Sequence, residues 1–241
     1  MIIDYHSHIK WDRRNNHYFV NELMEDMEKN KIARRVVSAL HGKGISKQNN
    51  FIANLVEEFP EKLIGCAVIN PKEYDCVDEM RRICSMDCFK AIELDSLEHN
   101  YFPEECDALD EVFELAGKHN LVVNVFTGWG CRTMPAQWAY YAERHLNVKM
   151  VFLHMGTTDF GYGCVELVPK LENVYVETSC MYELPILRKA FSKINHDKFL
   201  FGSHYPHKIT KCSIDTFDLL NLSETTLDKM YFQNSARLLD L

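Results

Sequence analysis

The sequence lacks the features that mark several large classes of protein. Its nine cysteines include no Cys-x-x-Cys pair, so neither a zinc ribbon nor a thioredoxin-like redox site is indicated. No apolar run approaches the roughly 20 residues of a membrane span, and the first residues lack the basic and apolar regions of a secretion signal. We therefore expect reduced thiols, no membrane association and a cytoplasmic location.

The sequence also has no excess of basic charge. It contains 27 Lys and Arg against 35 Asp and Glu, a formal net charge of −8, whereas a nucleic-acid-binding domain presents a basic face. Apolar residues make up 46% and charged residues 26% of the 241 residues, which is typical of a globular protein. We expect a small-molecule substrate and no nucleic acid as partner. The oligomeric state is left open, with a homodimer as the common default.

Eight short runs rich in β-branched and aromatic residues alternate with longer stretches of helical period. Their starts are 25 to 33 residues apart, which leaves room for one helix each time. In one such helix, Leu109, Val112, Phe113 and Ala116 form a single apolar stripe. The predicted strands are Ile2–His8, Arg35–Leu40, Leu63–Ile69, Phe89–Asp95, Leu121–Thr127, Lys149–Met155, Val174–Cys180 and Phe199–Tyr205.

This alternation predicts an α/β fold, a single (β/α)8 TIM barrel. Strands separated by single helices pair in parallel through right-handed crossovers, and eight such units close into a barrel. A doubly wound open sheet is less favoured because the turn after the first strand, residues 8–11, contains no glycine for a phosphate loop. No linker or repeat interrupts the chain. We therefore predict one barrel domain over residues 1–241, with a closing helix within Ser223–Leu241.

Histidines are concentrated at the predicted carboxyl ends of the strands, where the active sites of such barrels lie. The first strand ends in Asp-Tyr-His-Ser-His, and alternation along it places Asp4, His6 and His8 on one face. His154 lies near the end of the sixth predicted strand and His204 near the end of the eighth. An isolated histidine is more often structural, but four of the eleven histidines at three strand ends indicate a metal site.

The segments that contain these histidines resemble a known family. They are Asp-Tyr-His-Ser-His at residues 4–8, Phe-Leu-His-Met-Gly at 152–156 and Leu-Phe-Gly-Ser-His-Tyr-Pro at 200–206, followed by Gln-Asn-Ser-Ala-Arg-Leu-Leu at 233–239. In this order and over the full length they resemble the amidohydrolase-related proteins. That family consists of metal-dependent (β/α)8 enzymes, which include hydrolases and nonoxidative decarboxylases of small cyclic or aromatic acids.

The resemblance implies roles for the strand-end residues. His6 and His8 correspond to metal ligands, and His154 to a residue that binds a second metal or polarises the substrate and the attacking water. Two positions depart from the family pattern, since Phe126 stands where the fifth strand has a ligating histidine and His204 where the eighth has an aspartate. We therefore expect an altered single-metal site.

Four further residues near the strand ends are candidate site residues. Glu93, on the fourth strand, is a candidate ligand beside His6, His8 and His204, although acidic residues at strand ends also cap helices. Trp129 and Arg132 follow the fifth strand and His207 follows the eighth, and all three are candidate substrate contacts. An arginine there suits a carboxylate substrate. The alternative interpretation is a packing indole and a surface arginine.

The predicted function is hydrolysis of an amide, lactone or ester bond of a small acid, with His154 and His204 as catalytic residues. We expect one divalent ion, with zinc first and Mn²⁺ or Fe²⁺ as alternatives, to polarise a carbonyl or acidify a water molecule. Nonoxidative decarboxylation at the same site is the first alternative. A catalytically inactive barrel that binds a ligand or partner is the second. A PHP-type phosphoesterase is disfavoured because the second and third strand ends supply only one histidine, His41.

Overall fold

The computed structural model describes all residues from 1 to 241, and its main feature is a sheet of eight parallel strands in chain order. A two-stranded hairpin, β2 (Trp11–Asp12) and β3 (His17–Tyr18), separates the first two barrel strands. The predicted TIM barrel is confirmed. The barrel strands are β1 (Ile3–His8), β4 (Arg34–Ser38), β5 (Leu63–Val68), β6 (Phe89–Leu94), β7 (Val122–Phe126), β8 (Met150–Leu153), β9 (Val174–Glu177) and β10 (Phe199–Leu200).

The sheet closes between its first and last strands through the backbone. Tyr5 N donates to Phe201 O at 2.8 Å, and His8 N donates to Tyr205 O at 2.7 Å. In the other direction, His204 N donates to His6 O at 2.9 Å. These bonds hold the end of β1 directly beside the residues that follow β10, so His6, His8 and His204 share one rim of the barrel.

Ten helices cover the outside of the barrel and one of its ends. The stripe predicted from Leu109 to Ala116 is fully buried against the sheet, as the helical period indicates. No helix is long and apolar enough to cross a membrane. The helices are α1 (Val20–Lys29), α2 (Ile45–Glu58), α3 (Cys76–Ile83), α4 (Ala108–Lys118), α5 (Pro135–Arg144), α6 (Thr157–Leu167), α7 (Leu184–Lys193), α8 (Thr210–Asp218), α9 (Glu224–Asp228) and α10 (Asn234–Leu239).

The closing helix predicted within Ser223–Leu241 is present but divided. A π-helical turn, Lys229–Gln233, joins α9 to α10. Leu238 and Leu239 of α10 belong to the small apolar cluster inside the barrel, together with Ile3 at the start of β1. The final helix therefore closes the end of the barrel at which the strands begin, opposite the rim that carries His6, His8 and His204.

A β-bulge in β1 decides which of its side chains enter the barrel. Asp4 pairs with Arg35 and Ser7 with Val37, so β1 has one residue more than β4 across this interval. Tyr5 therefore faces the interior of the barrel, and the next residue, His6, faces the same side. The prediction that Asp4 shares a face with His6 and His8 is wrong, because the bulge reverses the alternation. Asp4 instead lies outside the barrel, bonded to Arg35.

Candidate metal centre

Three side chains converge at the mouth of the barrel, at the carboxyl ends of β1 and β6. His6 Nε2 lies 3.5 Å from Glu93 Oε1, and His8 Nε2 lies 3.7 Å from the same oxygen. All three side chains are at most 3% exposed. The structure thus brings together three of the four predicted metal ligands. Asp95, two residues after Glu93, caps the following turn by accepting from the Leu97 and Glu98 amides at 2.9 Å each.

Ser38, at the end of β4, orients two of these side chains. Its hydroxyl donates to Glu93 Oε2 at 2.7 Å and lies 2.8 Å from His8 Nδ1. In both residues the atom that contacts Ser38 is the one on the side away from the point where the three side chains converge. The other atom, Glu93 Oε1 or His8 Nε2, is left for a ligand, which is how outer hydrogen bonds commonly fix metal-binding groups.

Glu177 and Ser179, at the end of β9, orient the side chains of His6 and His154. Glu177 Oε2 lies 3.4 Å from His6 Nδ1, and the Ser179 hydroxyl donates to that oxygen at 2.8 Å. Ser179 Oγ also lies 2.8 Å from His154 Nδ1. Because Glu177 also accepts from the amides of His154 and Ser179, its position is fixed by several bonds.

His204 lies against the other histidines but outside the group formed by His6, His8 and Glu93. Its ring stacks on that of His6 with centroids 5.2 Å apart, and its Nδ1 lies 3.1 Å from Cys180 Sγ. Its nitrogens group with those of His8 and His207, and separately with His154 and Cys180. Its assignment as a ligand of the same ion as Glu93 remains a prediction.

Burial sets the protonation states of the clustered histidines. It lowers the pKa of His8, His154 and His204, and the neighbouring imidazoles lower each further. Neutral imidazole is the form that binds metal ions. His6 differs because the nearby carboxylates of Glu177 and Glu93 favour its protonated form, outweigh the opposing effect of burial and raise its pKa to about 10.

Glu93 is held in its ionised form. Burial alone would raise the pKa of this carboxyl group, but the close charge of His6 and the hydrogen bond from Ser38 bring it below the ordinary value of 4.5. The mouth of the barrel therefore contains a carboxylate beside several imidazoles, a combination of ligands that suits zinc and related divalent ions.

The end of β7 contributes an apolar wall and no ligand. The Phe126 ring meets the His154 ring edge-on with centroids 4.8 Å apart, and the Trp129 ring lies 5.9 Å from His154. The Arg132 guanidinium lies over the Phe102 ring, 4.9 Å from its centroid, rather than against a histidine. Trp129 thus borders the histidine cluster, whereas Arg132 does not contact it. Their roles in substrate binding remain predictions.

His207 is exposed at the rim above the buried histidines. Its ring centroid lies 4.9 Å from that of His204 and 5.6 Å from that of His8. His41 lies beside it, with centroids 5.8 Å apart. His41 also lines an adjoining cavity of about 390 Å³ together with Trp11 and His99, among others. His41 thus connects this cavity to the histidines at the rim. The role of His207 in substrate binding remains a prediction.

The sequence interpretation did not identify Ser38, Ser179 and Cys180 as site residues. Ser38 ends a barrel strand, and Ser179 and Cys180 lie within three residues after the end of another. That position was the available signal, but serine and cysteine are frequent at strand ends for packing reasons alone. The serines contact Glu93, His8, His154 and His6, which lie 25 to 173 residues away in the chain. Only the contact of Ser179 with Glu177 is local.

The residues at the mouth fit a divalent metal ion. Among the buried polar atoms, His6 Nε2, Glu93 Oε1 and His154 Nε2 have no hydrogen-bond partner. Leaving such atoms unpaired is costly in a protein interior. An ion bound between His6 Nε2 and Glu93 Oε1 would coordinate both of these unpaired atoms. The neighbouring groups bind the other side of each residue and leave these atoms free for such an ion.

Solved structures similar to this chain share its fold at low sequence identity. The 5-carboxyvanillate decarboxylase from Sphingomonas paucimobilis has a TM-score of 0.79 at 13% identity, covering 100% of this chain and 99% of that one. A probable 2-pyrone-4,6-dicarboxylic acid hydrolase from Acinetobacter baumannii, with citric acid bound, has a TM-score of 0.77 at 15% identity over 100% and 99%. The 5-carboxyvanillate decarboxylase from Novosphingobium aromaticivorans, with bound manganese, has a TM-score of 0.72 at 14% identity over 91% and 80%.

The family is shown by the sequence itself rather than by these structures, whose identities establish the fold alone. No curated protein sequence matches this chain. The family model described as amidohydrolase matches residues 3–241, which is nearly the whole length and includes every residue of the mouth. This chain therefore belongs to the amidohydrolase family.

Proposed function

We propose that this chain is a metal-dependent hydrolase that acts on an amide, lactone or ester bond of a small acid. The family contains metal-dependent hydrolases and decarboxylases. The observation that supports the proposal most strongly is the convergence of His6 Nε2, His8 Nε2 and Glu93 Oε1, each turned toward the others by a partner on its opposite side.

His6, His8 and Glu93 would hold the ion. Zinc is the expected ion for two imidazoles and a carboxylate, and manganese is the alternative, since a similar structure contains it. Once bound, such an ion supplies Lewis-acid chemistry, polarising a substrate oxygen and making a nearby water more acidic.

His154 and His204 would move protons and orient the substrate. The Ser179 hydroxyl contacts Nδ1 of His154, so the buried Nε2 of His154 is the nitrogen available to accept a proton and return it. We assign His204 to the same role because its nitrogens do not group with His6 and Glu93. Phe126 and Trp129 would exclude water from one side and offer a flat surface to a planar acid.

Nonoxidative decarboxylation is the second candidate. Two similar structures are 5-carboxyvanillate decarboxylases, and the aromatic wall beside His154 suits an aromatic acid. In that reaction a protonated histidine would supply the proton that replaces the departing carboxylate. A panel of lactones, amides and aromatic acids separates the candidates, because release of carbon dioxide without hydrolysis would establish the decarboxylase.

Metal content tests the proposal directly. We expect at least one zinc or manganese ion per chain by elemental analysis of protein purified without chelator. His8→Ala and Glu93→Gln should each bind about one ion fewer per chain than the wild type, whereas His119→Ala, at an exposed histidine on the opposite end of the barrel, should match the wild type. A wild-type protein that binds neither ion after dialysis against both would contradict the proposal and favour a ligand-binding barrel.

A further inference from the structure

A second group of ligating atoms lies beside the first and shares no residue with it. One atom each from His154, Cys180 and His204 lie within 4.8 Å of one another. Cys180 Sγ and His204 Nδ1 are 3.1 Å apart. The three residues are 0%, 9% and 8% exposed, so bulk water does not fill the space between them.

One ring nitrogen of His154 is free of hydrogen bonds. Its Nδ1 is engaged by Ser179, and its Nε2 is buried without any hydrogen-bond partner. The other eight cysteines join no comparable group of ligating atoms, so Cys180 is singled out by its surroundings and not by its residue type.

The backbone is held in an unusual conformation at all three residues. The φ angles are 63° at His154, 60° at Cys180 and 55° at His204, a region that side chains other than glycine rarely occupy. Each residue lies just after a barrel strand, and together they follow β8, β9 and β10. Such conformations persist where the surrounding structure requires them, often at functional sites.

The end of β7 supplies no ligating side chain to this group. Phe126 lies there, with its ring centroid 4.8 Å from that of His154. The sulfur approaches from the β9 end instead. Two imidazoles and one thiol make a softer set of ligands than His6, His8 and Glu93.

We propose that His154, Cys180 and His204 form a second cation site, selective for a thiophilic divalent ion such as zinc or cadmium. On binding, a metal–sulfur bond replaces the S–H bond, and the thiol proton is released to solvent. Manganese, which prefers oxygen ligands, occupies only the site of His6, His8 and Glu93. The effect on catalysis rests on the proposed function: an ion on His154 and His204 removes both from proton transfer, so excess zinc inhibits the enzyme and excess manganese does not.

Cadmium titration followed by ultraviolet absorption tests for the sulfur ligand without requiring a substrate. The background is Cys131→Ser/Cys212→Ser, which removes the two exposed thiols. We expect a thiolate-to-cadmium charge-transfer band that saturates at one equivalent. Cys180→Ser should lose the band and bind one zinc ion fewer per chain. His8→Ala should keep the band although it loses the first site.

This design separates failure of the second site from failure of the proposed function. A band that survives Cys180→Ser, or no band in the background protein, overturns the second site whatever the result for His8→Ala. If Cys180→Ser does not fold, X-ray absorption of the zinc-saturated wild type decides. We expect a zinc–sulfur distance of about 2.3 Å, and a spectrum with nitrogen and oxygen neighbours alone overturns the proposal.

Discussion

At the scale of single residues, Gly202 determines where the Glu177 carboxylate can lie. A Cβ at residue 202 would collide with Glu177 Oε1 and Cδ. Glu177 in turn contacts His6 and fixes Ser179. Gly202→Ala should therefore displace the group that orients His6 and lower metal affinity about 10- to 100-fold, as loss of outer-sphere partners commonly does. Competition with a fluorescent chelator measures this affinity.

Gly163→Ala is the matched control for that prediction. Gly163 lies within α6, and a Cβ there would meet no atom within 4 Å. The substitution should leave metal affinity unchanged and stabilise the helix by up to about 1 kcal/mol. Equal metal affinity in both variants would show that Glu177 has no part in holding the site.

Ser38 connects two ligands of the proposed ion, so its removal should weaken binding as well. Ser38→Ala takes away the donor to Glu93 Oε2 and the partner of His8 Nδ1. We expect about a 10- to 100-fold loss of metal affinity by the same chelator competition. Ser235→Ala is the control, because that hydroxyl is also buried but has no partner. A Ser38→Ala protein with wild-type affinity would exclude an orienting role for this hydroxyl.

At the scale of secondary-structure elements, Glu79 joins α3 to α2. Its carboxylate accepts from Arg82 on its own helix at 2.7 and 2.8 Å, and from Ser46 and Asn49 of α2 at 2.6 and 2.8 Å. Burial would raise the pKa of Glu79, but these bonds outweigh it and hold the pKa below the ordinary 4.5. Ionised Glu79 therefore binds its partners in the folded state more favourably than protonated Glu79 does.

Glu79→Gln should accordingly destabilise the protein in a pH-dependent way. A carboxyl pKa lower in the folded than in the unfolded state adds stability above about pH 4.5, and this stability is lost as the pH falls through the folded-state value. We expect the variant to lose about 2 kcal/mol at pH 7 in urea unfolding, and the difference from wild type to shrink below pH 4.5. Asp78→Asn, at an exposed acid of the same helix, should change stability by less than about 0.5 kcal/mol. A Glu79→Gln difference that is constant with pH would contradict the assignment.

The elements themselves were largely predictable from the sequence, because each barrel strand and each helical stripe is a local pattern. The strand ends were not. Predicted strands extend to Leu40, Thr127 and Met155, whereas the sheet ends at Ser38, Phe126 and Leu153. The bulge that separates Asp4 from His6 and His8 depends on pairing with β4, which no local pattern reports.

The candidate site was predictable to a similar degree. His6, His8 and Glu93 have recognisable metal-binding chemistry and fall at strand ends, so position and residue type suffice to select them. Ser38, Ser179 and Gly202 act through a single hydroxyl or through the absence of a side chain. Their significance depends on which residue faces them across the barrel, and only the folded chain determines that.

At the scale of the whole molecule, a buried ionic network joins the first barrel strand to the residues after the last one, where the barrel closes. Asp4 of β1 accepts from Arg35 Nε at 2.9 Å and from the Ser203 hydroxyl at 2.6 Å. Arg35 also pairs with Asp26 of α1 at 2.7 Å, and Thr210 of α8 donates to the same carboxylate at 2.6 Å. Since β10 spans only two residues, these side chains reinforce a short seam.

Arg35→Met should therefore destabilise the closed barrel strongly. It leaves the Asp4 carboxylate, which is fully buried, without its cation, and breaking a buried pair in this way typically costs about 3 to 5 kcal/mol. Urea unfolding of chelator-treated protein measures the loss apart from any contribution of bound metal. Arg34→Met, at the neighbouring half-buried arginine whose guanidinium donates to the Pro60 carbonyl, should cost about 1 kcal/mol or less. Similar losses for the two variants would mean that backbone bonds alone close the barrel and that the network contributes little to joining β1 with β10.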